Sequence, residues 1–148
     1  MNLKKVLSPK VVSVNISSDT KEGVIDELLA MLDATGKIDD LERAKYAVME
    51  RERKMSTGME HGIAIPHGKT DAVDELIACI GVSKHGVDFA ALDNEPSRIF
   101  IMTLSPLNRT GPHIQFLAEV SRLLRSPERR DLILAATSDE DLYKAFVA

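Results

Sequence analysis

The chain has 148 residues, the length of one ordinary domain, so it can bury a core without disulfide or metal staples. Its 44% apolar and 28% charged content is that of a soluble globular protein, and a net charge of −4 offers no basic excess for a nucleic-acid partner. No apolar run approaches the roughly 18 residues that span a bilayer. No apolar leader follows Lys4 and Lys5, and the one cysteine, Cys79, fits a reducing compartment. The expectation is a cytoplasmic protein without membrane insertion.

In chain order, "VVSVNI" (11–16) is β-branched and partly alternating, which predicts a strand. "SSDT" supplies capping residues for a helix whose apolar positions are Val24, Ile25, Leu28, Leu29 and Leu32, with Gly36 as its stop. A second helix starts near Asp39–Asp40, with Leu41, Ala44, Ala47 and Val48 on one line. It ends in "ERER" (50–53), read as a solvated face except for Arg51. Ile63-Ala64-Ile65 is extended, because Pro66 disfavours helical geometry in the residue before it. "LIACIGVS" (76–83) and "RIFIMTL" (98–104) are apolar runs of buried-strand type, separated by turn chemistry in "HGVDFAALDNEPS". After the loop "SPLNRTGP", a helix begins near Pro112 and carries Ile114, Leu117, Val120, Leu123 and Leu124. Ser126-Pro127-Glu128 opens a further helix, and Ser138 with Asp141 forms a capping-box-like start to the last. Helices before and after apolar strands, without strict βαβ alternation, predict an α/β fold. The expected architecture is a single three-layer α/β/α domain over residues 1–148 with a mixed central sheet flanked by helices.

The chemistry concentrates in "HGIAIPHGKT" (61–70). Its "GKT" ending resembles a nucleotide-binding loop, but that loop requires glycine at position 63, which is isoleucine, and Pro66 removes a cradling N–H. A zinc site drawn from His61, His67, His85 and His113 lacks any usual ligand spacing, and neither a cysteine cluster nor HExxH is present. No G-x-S-x-G elbow exists, and Cys79 inside an apolar strand reads as an inert buried thiol. A fourth reading makes His67 a nucleophile toward phosphorus. Neutral imidazole can attack at neutral pH, provided an acceptor, expected to be a main-chain carbonyl, holds its other nitrogen. Pro66 fixes the backbone before the ring, and Gly68 lets a main-chain N–H approach a phosphoryl oxygen. Arg51, Lys69 and Arg109 are candidate cations, and His113 at a helix start could donate a hydrogen bond. Ile63 and Ile65 read as core rather than docking rim, while Met59 stays open between the two. His61 reads as a solvent-facing loop residue and His85 as a turn residue.

"RERKMSTGMEHGIAIPHGK" (51–69) resembles the active-site signature of enzyme IIA of the bacterial phosphoenolpyruvate-dependent phosphotransferase system. The type is fructose/mannitol, which includes the nitrogen-regulatory enzyme IIA. The likeness continues through "FAALDNEPSRIFIMTLSP" (89–106), "PHIQFLAEVSRLL" (112–124) and "AATSDEDLYKAF" (135–146). It implies a mixed sheet between helices and phosphorylation of a ring nitrogen of His67 by HPr or an HPr-like phosphocarrier. It further implies that His113 stabilises the phosphoryl group, that Arg51 lies near the site, and that no metal or cofactor is needed. The next partner would be an enzyme IIB, or a transporter or kinase regulated by the phosphorylation state. "LDNEPSRIFIMTLSP" and "SDEDLYKAF" resemble the nitrogen-regulatory members more closely. His61 stands where mannitol-type members carry an acidic residue. A regulatory protein without onward transfer and a zinc-binding module are the competing functions.

Overall fold

Two apolar strands form the spine of the sheet. Residues 2–147 are described by the computed structural model. In it β4 (Ile77–Val87) and β5 (Ser97–Ser105) pair antiparallel, with Ile80 opposite Ile101 and Cys79 opposite Met102. Both are almost continuously buried, as strands covered on both faces must be. The short β1 (Val12–Ser13) lies parallel to β4, in register Val12 to Ile80. On the far side of β5, β2 (Ile63–Ala64) and β3 (His67–Lys69) run parallel to it, Ile63 opposite Ile99 and His67 opposite Thr103. They amount to one edge strand interrupted at Ile65-Pro66. Proline has no N–H for a ladder, so an edge is where it is tolerated. The Pro66 carbonyl remains useful and accepts from Thr103 N at 3.3 Å. The five-stranded sheet is thus mixed, as the broken alternation of the sequence predicts.

Among the described residues five α-helices cover this sheet in the expected three-layer arrangement. Thr20 caps α1 (Lys21–Asp33) by accepting from Gly23 N, and Asp40 caps α2 (Leu41–Lys54) by accepting from Arg43 N. All five predicted apolar residues of α1 are buried, and the helix packs on β4, where Cys79 Sγ lies 3.5 Å from Leu28 O. α2 packs on β3 and α1, and α3 (Thr110–Leu124) packs on β5. α4 (Pro127–Ala135) is capped by Ser126 and lies against α5 (Asp139–Val147), and Ser138 accepts from Asp141 N at 3.1 Å.

Four expectations are corrected. The first strand is shorter than residues 11–16, because Pro9–Val11 close a 3-10 turn. The buried face of α3 is His113, Phe116, Val120, Leu123 and Leu124; Ile114 is 63% exposed, so the helix is rotated from the predicted line. His85 is not a turn residue. It lies inside β4, which continues past an irregularity between Val82 and Val87, where Gly86 takes φ +80°. Finally, "ERER" is not uniformly solvated: Glu52 is 5% exposed. A carboxylate can be buried when it is paired, and Lys21 Nζ stands 2.9 Å from it.

Candidate active site

The outer side of the edge strand creates the site. Ile65 N bonds away from β5, to Thr57 O, and the Ile65 carbonyl on that same side meets the His67 ring, 2.9 Å from Nδ1. A carbonyl oxygen only accepts, so Nδ1 bears the proton and the lone pair resides on Nε2. The His67 ring is half-buried, and the His113 ring stands beside it, centroids 5.2 Å apart and planes tilted by 39°. His113 is 7% exposed on the inner face of α3, and its Nδ1 lies 3.2 Å from Thr103 Oγ1.

Electrostatics keep both rings neutral at pH 7. Burial lowers the pKa of His67, and the charges of Arg51 and Lys69 push the same way; the Ile65 bond and Glu52 oppose them. Burial, then His67 and Lys69, push His113 down to about 4. A neutral imidazole with an unprotonated Nε2 therefore sits beside a second neutral ring in the reach of two cations.

A chain of hydrogen bonds fixes the carbonyl that fixes His67. Glu52 accepts from Thr57 N at 2.8 Å and Thr57 Oγ1 at 2.5 Å, and Lys21 Nζ lies over the Phe89 ring while pairing with the same carboxylate. The Thr57 carbonyl accepts from Ile65 N at 3.1 Å, and Met59 N donates to Ile63 O at 2.7 Å. Residues 57–59 thereby run against 63–65 as a small hairpin. Its tip is His61 and Gly62, with φ of 65° and 75°. The Gly62 carbonyl is anchored by Arg98 N and Ile99 N. Buried Ile63 and Ile65 hold the hairpin from below, whereas Met59 is exposed.

A groove of about 610 Å³ opens onto His67, with Tyr46, Arg51, Gly68, Lys69 and Leu107 also in its wall. Arg51 reaches it from the end of α2, its guanidinium donating to Met55 O at 2.7 Å. Gly68 has a packing role that the sequence does not display. A Cβ there would lie 3.0 Å from Val48 N and 3.1 Å from Ala47 Cβ, so only glycine lets β3 lie this close to α2. The structure thus brings together His67, His113, Arg51, Gly68 and Lys69. Arg109 is exposed at the start of α3.

His61 is exposed, as expected, with its main-chain N donating to Asp93 at 3.3 Å. His85 is set apart from the pair and lies 3.1 Å from Asp19. Among the described residues no three metal-ligating side chains converge. Cys79 is fully buried, and burial raises its thiol pKa far above neutrality. Sequence reasoning expected a main-chain carbonyl at the His67 ring without identifying it as Ile65 O, and missed Glu52, Thr57 and Thr103. A main-chain carbonyl has no sequence signature. The polar Thr103 within "IFIMTL" was the one visible signal.

Residues 5–148 match the profile of the family described as phosphoenolpyruvate-dependent sugar phosphotransferase system, EIIA 2. The chain is 37% identical over 131 residues to a fructose-specific EIIA component of Haloferax volcanii, covering 88% of this chain and 85% of that protein. It is likewise 37% identical over 140 residues to the fructose-specific EIIABC component of Bacillus subtilis, covering 95% of this chain but only 22% of that protein's length. A nitrogen regulatory protein of Pseudomonas aeruginosa is 27% identical over 147 residues, 99% of this chain and 96% of that one. Among solved structures, nitrogen regulatory protein IIA-Ntr from Neisseria meningitidis superposes with a TM-score of 0.89 at 22% identity, covering 97% and 98% of the two chains. The enzyme IIA mannitol of Escherichia coli, in its complex with phosphorylated enzyme IIB mannitol, gives 0.81 at 22% identity over 95% and 96%. Among the described residues no helix is long and apolar enough to cross a membrane. The chain belongs to the EIIA type-2 family of the phosphoenolpyruvate-dependent sugar phosphotransferase system.

Proposed function

We propose that His67 accepts a phosphoryl group on Nε2 from the phosphohistidine of HPr or an HPr-like carrier and passes it to an enzyme IIB. The observation that carries this reading is the 2.9 Å bond between Nδ1 and the Ile65 carbonyl, which leaves the Nε2 lone pair free for in-line attack. The new N–P bond forms from that lone pair. The donor's N–P bond breaks, and its electron pair returns to the donor imidazole. The Nδ1 proton stays on His67, held by Ile65 O, so no base is needed. His113 donates a hydrogen bond to a phosphoryl oxygen. Arg51 and Lys69 offset the incoming charge, and the Gly68 main-chain N–H is a further contact. Little covalent work is left to the protein beyond position and field.

Residues 1–148 form one such domain, and its setting is the cytoplasm. The two relatives at 37% identity are both named fructose-specific, which supports transfer to a fructose-type IIB. A regulatory role of the nitrogen type is the second reading, favoured by the full-length match to the Pseudomonas protein and by "LDNEPSRIFIMTLSP" and "SDEDLYKAF".

Incubation with phosphoenolpyruvate, enzyme I and HPr, followed by intact mass measurement, tests the proposal. One acid-labile phosphoryl group is expected on the wild type and none on His67→Ala. Label on His67→Ala removes the assignment. A chase with fructose-type IIB then separates the branches: loss of the group supports transport, and its retention supports regulation.

A further inference from the structure

Thr103 touches both halves of the histidine pair. Its main-chain N donates to the Pro66 carbonyl at 3.3 Å, directly before His67, and strand register sets it opposite His67. Its Oγ1 lies 3.2 Å from His113 Nδ1. The side chain is fully buried between Met102 and Leu104 in β5. The hydroxyls of Ser97 and Ser105 in the same strand are buried without a hydrogen-bond partner, whereas Thr103 Oγ1 has one: among the described residues it bonds to His113 Nδ1 alone.

That single contact decides which atom donates. If Nδ1–H donated to Oγ1, the threonine O–H would be left as a buried donor without an acceptor, the costlier arrangement. If the O–H donates to Nδ1, both the hydroxyl and Nδ1 are satisfied, and the one proton of the neutral ring must reside on Nε2. No described protein group bonds to that nitrogen, so its N–H is left for whatever enters the site.

We propose that Thr103 is a positioning residue that locks His113 as the Nε2–H tautomer, so that the only N–H of this ring faces the phosphoryl group on His67. Ile65 O thus selects the acceptor tautomer of His67, and Thr103 Oγ1 selects the donor tautomer of His113. The two rings are set in opposite senses by two unrelated contacts: Nδ1–H on His67 and Nε2–H on His113. The inference rests on His67 being the phosphoryl acceptor.

The test uses 15N-labelled full-length protein at pH 7 and long-range 1H–15N correlation spectra of the imidazoles, with Thr103→Val and Thr103→Ser as variants. Valine keeps the volume and removes the hydroxyl; serine keeps the hydroxyl. The wild type and Thr103→Ser are expected to show His113 as Nε2–H, and Thr103→Val a mixture of tautomers. Loss of one hydrogen bond of ordinary strength corresponds to about a tenfold fall in kcat for phosphoryl uptake in Thr103→Val, with KM for phospho-HPr unchanged and the rate regained in Thr103→Ser. An Nδ1–H tautomer in the wild type overturns the proposal, and this reading needs no variant to fold. So does an unchanged His113 tautomer in folded Thr103→Val. The spectra are recorded on unphosphorylated protein, so they stand apart from the acceptor assignment. A labelled His67→Ala would strike that assignment, whereas a wrong tautomer strikes Thr103 alone.

Discussion

Acid should destabilise the fold through His113, and the size of the effect follows from its burial. The ordinary imidazole value is 6.5, and burial beside His67 and Lys69 moves it down to about 4 in the folded protein. A depressed histidine contributes stability that is present above the unfolded value and is lost as pH falls toward the folded one, because the unfolded chain binds the proton first. Between pH 7 and pH 5 the unfolded ring becomes almost fully protonated while the folded ring stays neutral, which costs about 2 kcal/mol at this one site. Carboxylates and His67 titrate nearby, so the wild type alone does not isolate the effect. His113→Asn does, since its side-chain carbonyl occupies the Nδ1 position and still accepts from Thr103. Urea unfolding at pH 7 and pH 5 on both proteins gives the double difference. The wild type should lose about 2 kcal/mol more than the variant over this interval. Equal losses in the two proteins would mean that His113 titrates normally and that its burial does not control its charge.

Two further perturbations probe the supports of the site. Gly68→Ala sets a methyl 3.0–3.1 Å from the α2 backbone at Val48 and from Ala47, and should lower stability by about 1–3 kcal/mol in thermal or urea unfolding while moving His67 off its position. An alanine variant with wild-type stability would show that β3 and α2 separate freely. Glu52→Ala removes the acceptor of both Thr57 bonds and strands Lys21 beneath the hairpin. A loss of about 3 kcal/mol is expected, together with slower phosphoryl uptake. Stability that falls without any change in uptake would confine Glu52 to folding.

The site owes its form to an edge strand that faces two ways. Main-chain groups alternate along it: the carbonyls of Gly62 and Pro66 accept from β5, at Ile99 N and Thr103 N, whereas the Ile63 carbonyl and Ile65 N bond to the hairpin at Met59 and Thr57. The Ile65 carbonyl therefore points away from β5 and is taken by the His67 ring. Pro66 lacks an N–H, yet its carbonyl binds Thr103, so the register of Ile63 on Ile99 is kept at His67 on Thr103. The hairpin at 57–65 matters for the same reason. Ile65 N is tied to Thr57 O, and Thr57 to Glu52, so the Ile65 carbonyl has a fixed direction.

What the sequence displays and what it hides divides along a physical line. Periodicity reports burial, so the α1 stripe and the two spine strands were legible. Capping residues report backbone donors, so Thr20, Asp40, Ser126 and Ser138 were legible as helix starts. The stretch 61–70 was legible because histidine, proline and glycine each restrict chemistry or backbone on their own. Contacts between distant segments carry no such mark. Glu52 sits in a run of charges that looks solvated, and only its approach to Thr57 and Lys21 makes burial affordable. α3 shows the same limit from the other side. Ile114 and Phe116 are both apolar and only two residues apart, so either could have faced the sheet. The fold chose the phenylalanine, and with it His113 three residues earlier. Had Ile114 been buried instead, His113 would have rotated away from His67, so the pairing of the two rings is decided by helix packing rather than by the local sequence around either one.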